Sequence, residues 1–175
     1  YGKGVSYCAT CDGFFFRGKT VIVVGGGDTA LEDALYLSKI CAKVYLVHRR
    51  DEFRGSRILQ QRVFAEPRIT LVLDSVVTDI ASNDQGVTGV TVRNVKTEAT
   101  QQIAADGVFI FVGFMPNKGL VPSGVKMNAA GYVVTDEKCE TSLPGIFACG
   151  DVARTPHSVS LAVGDGAWAG AQLHR

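Results

Sequence analysis

Short apolar runs, the first of them closed by glycine, alternate with apolar residues spaced three and four apart along the first part of this chain. Val21–Val24 is one such run, and Gly25-Gly26-Gly27 follows it at once. From Asp28 the apolar positions recur on one face, through Leu31, Ala34, Leu35, Leu37 and Ile40, which predicts a helix. Thr29-x-x-Glu32 has capping-box spacing and places the helix start there. Val44–Val47 predicts a second strand, and Ile58, Leu59, Arg62 and Val63 mark a second helix. Strand, glycine turn, helix, strand, helix is the opening of a parallel α/β nucleotide-binding unit.

The period then changes. Ile69–Leu73, Val76–Ile80 and Val87–Val95 predict strands, the last two joined by the turn Asn83-Asp84-Gln85-Gly86. A further strand near Val108–Val112 ends in Gly113. From Met115 to about Ala130 the chain is loop-like, with Pro116, Asn117, Pro122 and Gly124, and a domain boundary is placed near Asn117. The expected domains are 1–117 and 118–175. Beyond the boundary, short strands are expected at Tyr132–Thr135 and Ile146–Cys149, then a helix from Ser158 to Leu173. There are no internal repeats.

Composition narrows the function classes. With 18 Lys+Arg against 17 Asp+Glu, the net charge of +1 excludes a nucleic-acid binder working through a broad basic field, and also an acidic disordered tail. At 46% hydrophobic and 20% charged residues the chain can bury a core. No apolar run approaches the roughly 20 residues that span a bilayer, and no signal peptide is visible, so a cytoplasmic protein without membrane partners is expected. The start at Tyr1 instead of Met, and the stop inside a helical pattern at Arg175, are those expected of a piece of a longer protein. Twenty glycines in 175 residues point to turns and close backbone approaches.

Gly25-Gly26-Gly27-Asp28-Thr29-Ala30 fits G-x-G-x-x-A between a strand and a helix. The first glycine permits the turn, the next lets a pyrophosphate come close, and the small Ala30 allows helix–strand packing. The N–H groups of the helix start then face the phosphates. An NAD-specific site would carry an acidic residue about 20 positions on. Here that place holds His48-Arg49-Arg50, with Arg54 and Arg57 following. Several cations suit a dianionic 2′-phosphate, so NADP(H) is predicted over NAD(H). A plain glycine turn and a solvated charged helix start, helped by Asp51 and Glu52, are the competing readings.

The five cysteines are an odd number in a chain without a secretory signal, which argues against a structural disulfide framework. Cys8-Ala9-Thr10-Cys11 is a C-x-x-C pair followed by Asp12. Such thiols can close a disulfide, a lowered pKa supplies the attacking thiolate, and a protonated Asp12 can donate to a leaving thiolate. Zinc would need two more ligands; Cys139 and Cys149 are not at knuckle spacing and the three histidines are scattered, so no metal site is expected. Cys41, inside the helical pattern, reads as a small buried residue. Phe14-Phe15-Phe16 could shield the pair from water or simply pack.

Together, Gly4-Val5-Ser6-x-Cys8-Ala9-Thr10-Cys11-Asp12-Gly13-Phe14-Phe15, the GGGDTA turn, His48-Arg49-Arg50-x-x-x-Arg54 and Gly145-Ile146-Phe147-Ala148-Cys149-Gly150-Asp151-Val152 resemble low-molecular-weight, bacterial-type thioredoxin reductases over essentially the whole chain. The resemblance implies an α/β flavoprotein with two dinucleotide-binding domains. A Rossmann-like, three-layer NADPH domain, with a mostly parallel sheet and an antiparallel β meander, is inserted into a split FAD domain. Residues up to about Asn117 would be the NADPH and dithiol domain, and the rest the C-terminal part of the FAD domain. It further implies that NADPH reduces FAD, FAD reduces Cys8–Cys11, and the dithiol reduces thioredoxin or a similar small protein. Cys8 would attack the partner disulfide, Cys11 would face the flavin, and Asp12 would be the acid/base. Gly25, Gly27, Asp28 and Thr29 would hold the pyrophosphate. Arg49, Arg50 and Arg54 would take the 2′-phosphate, and His48, Gly113, Gly150, Asp151 and Val152 complete the cofactor set. A homodimer is implied for the full-length protein. The family's first FAD segment is not in this sequence, so the piece alone is expected to hold flavin weakly and to be inactive. His157-Ser158-Val159 stands where the family has an Arg-Gln-Ala stretch, and Cys149 where it commonly has alanine. An NADP-binding redox-sensor module, or a sibling reductase for a peroxidase or small-molecule disulfide, would use the same residues.

Overall fold

The structure is a computed structural model and describes residues 2–173; Arg175, the end of the helical pattern, lies outside them. Two compact units divide after Val112, somewhat before the Asn117 expected from the loop composition.

The first unit is built on a five-stranded parallel sheet in the order β1-β8-β2-β3-β4. These strands are β1 (Val5–Ser6), β2 (Thr20–Gly25), β3 (Lys43–Val47), β4 (Ile69–Val72) and β8 (Gly107–Phe111). Both faces of the sheet are covered, which is why its strands are near-continuous apolar runs. Alternation still decides which side chain goes where. Val21 and Val23, Val44 and Leu46, and Phe109 turn to one face. There they meet Leu31, Ala34 and Leu37 of helix α2 (Asp28–Ile40) and Leu59 and Val63 of helix α3 (Arg57–Ala65). Ile22, Val47 and Val108 turn to the other face and meet Val90, Val92 and Ile103 of an antiparallel sheet. That sheet is β5-β6-β7, from Ser75–Asn83, Gly86–Asn94 and Thr100–Ala104. The result is three layers: helices, parallel sheet, antiparallel meander.

Four details differ from the sequence reading. Helix α2 starts on Gly27, whose extended backbone forms the N-cap, and no side chain caps it, so Thr29-x-x-Glu32 is not a capping box. Thr29 lies inside the first turn instead. Cys41 is the residue that ends α2, and it is buried. Strand β7 is absent from the sequence reading because only Ile103 of its side chains is buried, leaving no apolar alternation to see. The strands expected at 132–135 and 146–149 form only single bridges, Met127 with Val133, Thr135 with Thr141 and Glu140 with Phe147.

In the second unit, helix α4 (Val159–Gln172) is tied to the preceding loops by two contacts. Trp168 Nε1 donates to the Glu137 carbonyl at 2.8 Å, and Arg154 pairs with Asp165 at 3.0 Å. His157 packs edge-on against Phe114, and its Nε2 lies 3.1 Å from the Tyr132 hydroxyl.

Candidate active site

All five strands of the parallel sheet run the same way, so the segments that leave β1 and β2 emerge over the same carboxyl edge. The segment after β1 carries the cysteines; the segment after β2 is the glycine turn. In the strand order, β2 is also where the chain switches direction of winding, with β3 and β4 on one side and β8 on the other. Ligands of open α/β sheets collect at such a point.

Cys8 and Cys11 form a disulfide, their Cα atoms 5.3 Å apart. Cys8 is the N-cap of the short helix α1 (Ala9–Asp12), and its Sγ accepts the Cys11 N–H at 3.2 Å. Thr10 Oγ1 lies 3.4 Å from the same sulfur. Cys8 is half-buried and Cys11 exposed. The Ser6 hydroxyl, buried at the end of β1, donates to Asp12 Oδ2 at 2.6 Å and accepts the Cys8 N–H at 3.1 Å. One side chain therefore ties the acid to the dithiol. From α2, Asp33 is held above the usual carboxylate range by burial, although its carboxylate accepts the Ala9 N–H. Of the phenylalanine run only Phe16 is buried, packed against Phe109; Phe14 and Phe15 stand 66% and 71% exposed beside the dithiol segment.

The second locus is a cavity of about 620 Å³. Val24, Gly25 and Gly26 form one wall, Ser75–Ile80 another, and Arg49, Arg50 and Arg54 reach into it. Among the described residues none of these guanidiniums has a hydrogen-bond or ion-pair partner. A cavity with unpaired, permanently charged planar donors is shaped for an anion. Each glycine of the turn answers a different constraint. A Cβ on Gly25 would stand 2.8 Å from the Ala30 Cβ and would strike the Phe111 carbonyl, so small residues are required on both sides of the turn. A Cβ on Gly26 would enter the His48 ring. A Cβ on Gly27 would meet nothing within 4 Å, which leaves the helix start open to an approaching ligand.

His48 behaves differently from the arginines. It is 7% exposed, its Nε2 donates to the Glu52 carbonyl at 3.2 Å, and its ring lies against Phe53. Burial pushes its pKa down, and the neighbouring arginines push the same way. It is a neutral floor beneath Gly26 rather than a further cation. Asp28 Oδ1 accepts the Ser56 N–H at 2.7 Å, fastening α2 to the start of α3. Thr29 is exposed at the start of α2. The Arg54 and Gly55 N–H groups both donate to the Gly26 carbonyl, at 2.8 and 3.0 Å. Gly55, missing from the sequence reading, has no room for a side chain because a Cβ would come within 2.6 Å of Leu31.

Gly113, Gly150, Asp151 and Val152 lie in the second unit. Gly150 has φ +70°, and a Cβ there would stand 3.2 Å from Ala162. Asp151, in the short turn Gly150–Val152, is exposed, and its carboxylate is unpaired among the described residues. Cys149 is half-buried with a free thiol, and nothing in the structure explains it. Among the described residues no three His, Cys, Asp or Glu side chains converge on a possible metal, and no helix is long and apolar enough to cross a membrane.

The family model for pyridine nucleotide-disulphide oxidoreductases matches residues 1–166. Thioredoxin reductase of Coxiella burnetii is 46% identical over 159 residues, covering 86% of this chain and 50% of its own length. That of Listeria monocytogenes is 44% identical over 171 residues, covering 97% and 53%. Among solved structures, Lactococcus lactis thioredoxin reductase in its FR conformation aligns with a TM-score of 0.76 at 43% identity, over 98% of this chain and 57% of that one. The chain thus spans about half the length of the curated relatives it matches.

Proposed function

Because the chain belongs to the thioredoxin reductase family of pyridine nucleotide-disulphide oxidoreductases, we propose that the protein passes electrons from NADPH through FAD to the Cys8–Cys11 disulfide, and on to a small thioredoxin-like protein. The observation that carries this reading is a closed C-x-x-C disulfide and an anion-shaped cavity over the same sheet edge of one unit. The same family reading carries a cytoplasmic homodimer.

For NADPH, the residues present fit. The open helix start at Gly27 takes the pyrophosphate, with Gly25 and Ala30 letting strand and helix close beneath it. Arg49, Arg50 and Arg54 take the 2′-phosphate as charge-assisted donors. His48 supports the turn from below without contributing charge. Asp28, bonded to Ser56 through Oδ1, holds the helix start in place. For the flavin, the fitting feature is Asp151, an unpaired carboxylate able to accept from a ribitol hydroxyl. Exposed Val159 and Val163 on α4 fit cover by further flavin-domain chain. Bound flavin supplies the relay that turns a hydride into the two electrons a disulfide accepts.

Reduction of Cys8–Cys11 takes two electrons and two protons and leaves a dithiol. The Cys8 sulfur, already accepting the Cys11 N–H, is the one whose thiolate is stabilised. It attacks a disulfide sulfur of the partner, forming a mixed disulfide and releasing the partner's other sulfur as a thiolate. Cys11 then attacks Cys8, re-forming the internal disulfide and releasing the second partner sulfur. Asp12, oriented by Ser6, supplies a proton to the departing thiolate. Exposed Phe14 and Phe15 offer apolar contact to a protein partner.

The test uses the full-length flavoprotein. Cys8→Ser and Cys11→Ser each abolish disulfide reduction while NADPH-to-dye electron transfer persists. Disulfide reduction surviving in both variants overturns the assignment.

A further inference from the structure

Arg49, Arg50 and Arg54 share their loop with Asp51, an acid close enough in sequence to pair with these guanidiniums in place of a phosphate. In the structure it does not compete. Lys96 Nζ holds Asp51 Oδ2 at 2.8 Å and Asp74 Oδ1 at 3.0 Å. Asp74 is the corner residue before Ser75, where the opposite wall of the cavity begins. One lysine thus engages an acid from each flank of the arginine cavity.

Lys96 is itself set firmly in place. It stands in the turn between β6 and β7, where the Asn94 side-chain oxygen accepts the N–H groups of Lys96 and Thr97 at 2.9 and 3.0 Å. The Glu98 N–H closes the turn onto the Asn94 carbonyl at 2.9 Å. The backbones on either side are sewn together as well. Val95 N–H donates to Asp74 O, Asp74 N–H to Arg50 O, and Ser75 N–H to His48 O. The acid of the turn itself, Glu98, is taken by Arg93 at 2.6 Å. Pairing holds the Asp51 carboxyl below its usual range and the Lys96 ammonium above its own.

Exposed ion pairs add little to stability, so stability alone gives this arrangement no evident purpose. Its effect on the cavity is larger. With Lys96 in place, Asp51 and Asp74 are neutralised and the guanidiniums remain unpaired. Without it, two carboxylates are released beside a site meant for a dianion.

We propose that Lys96 is a positioning residue for dinucleotide selectivity: it engages Asp51 and Asp74 and so keeps Arg49, Arg50 and Arg54 free for a 2′-phosphate. The inference rests on the 2′-phosphate assignment made above, and deepens it by naming a residue 45 positions from Asp51 that sets the discrimination.

The test is calorimetric titration of the full-length protein with 2′,5′-ADP and with 5′-AMP, beside thermal melting. The unaltered protein prefers 2′,5′-ADP, and Arg50→Ala loses that preference. Lys96→Gln lowers the preference about fivefold, leaving the 5′-AMP affinity and melting temperature unchanged. Adding Asp51→Asn to Lys96→Gln restores most of it, a rescue that a merely structural lysine would not show. If the unaltered protein has no preference, the phosphate assignment itself fails, and this inference with it. If it has one that Lys96→Gln preserves, or that Asp51→Asn does not restore, only the role of Lys96 is overturned.

Discussion

Ser6 and Asp12 are joined by a 2.6 Å hydrogen bond, hydroxyl to carboxylate, at the buried end of β1. The same hydroxyl receives the Cys8 N–H, so the acid and the first cysteine are positioned by one atom. Ser6→Ala removes that donor and leaves a partly buried N–H and a carboxylate short of a partner, a loss of about 1–2 kcal/mol in positioning. Protein disulfide reduction should fall about tenfold while NADPH-to-dye transfer is unchanged. Stopped-flow measurement of both half-reactions checks this; equal losses in the two would show a general folding defect instead.

Gly26 and Gly27 are adjacent glycines with opposite reasons for being glycine. A Cβ at Gly26 enters the His48 ring, which is held by Glu52 and Phe53 and has nowhere to go. Overpacking of this kind costs about 1–3 kcal/mol, so Gly26→Ala should lower the melting temperature, and a second change, His48→Ala, should recover part of it. Gly27→Ala has open space and an ordinary φ of −93°, so the melting temperature should not move. Its methyl points where the pyrophosphate approaches, and NADPH affinity should drop at least about tenfold. Nucleotide titration and melting of both variants separate the two causes.

The contrast shows what was legible in the chain beforehand. Glycine spacing and the helix face from Leu31 to Ile40 are local patterns, and the structure places both on the expected elements; the C-x-x-C pair and the arginine run are equally local in sequence. What joins segments distant in sequence left no local trace. Gly55 is small because Leu31 lies against it, and Lys96 matters because Asp51 and Asp74 converge on it. At His48 residue type alone leaves the charge open, and it is burial that lowers the imidazole's pKa beside the arginines. At Thr29-x-x-Glu32 the spacing was right for a cap, but the extended backbone of Gly27 had already begun the helix.

His48 also gives the fold a pH dependence of known sign. Its folded pKa lies below the ordinary value of about 6.5, through burial first and then the charges of Arg49, Arg50 and Arg54. On acidification the unfolded chain therefore takes up the proton before the folded one. Stability from this group is complete above about pH 6.5 and is lost as pH falls from there toward the lower folded value. His48→Gln should flatten that part of the profile below about pH 6.5. Melting temperatures across the range decide it; an equally steep fall in the variant would assign the effect to other groups.

The cysteines should separate sharply by reactivity. Burial, and secondarily the charge of Asp106, raises the Cys41 thiol to about 11. At pH 8 that leaves about one thiolate in a thousand, inside a site closed to reagent. Cys139 is wholly buried too. After mild reduction, iodoacetamide at pH 8 should modify Cys8 and Cys11 first and half-buried Cys149 more slowly, sparing Cys41 and Cys139 until the protein is unfolded. Removing the minor contribution with Asp106→Asn should not make Cys41 reactive in the folded protein, because burial is the larger cause and is unchanged. Peptide mapping of the modified protein reads each thiol separately. Labelling of Cys41 at the rate of Cys11 would mean that the α2 end does not close over it, and that the dithiol is not set apart by its surroundings.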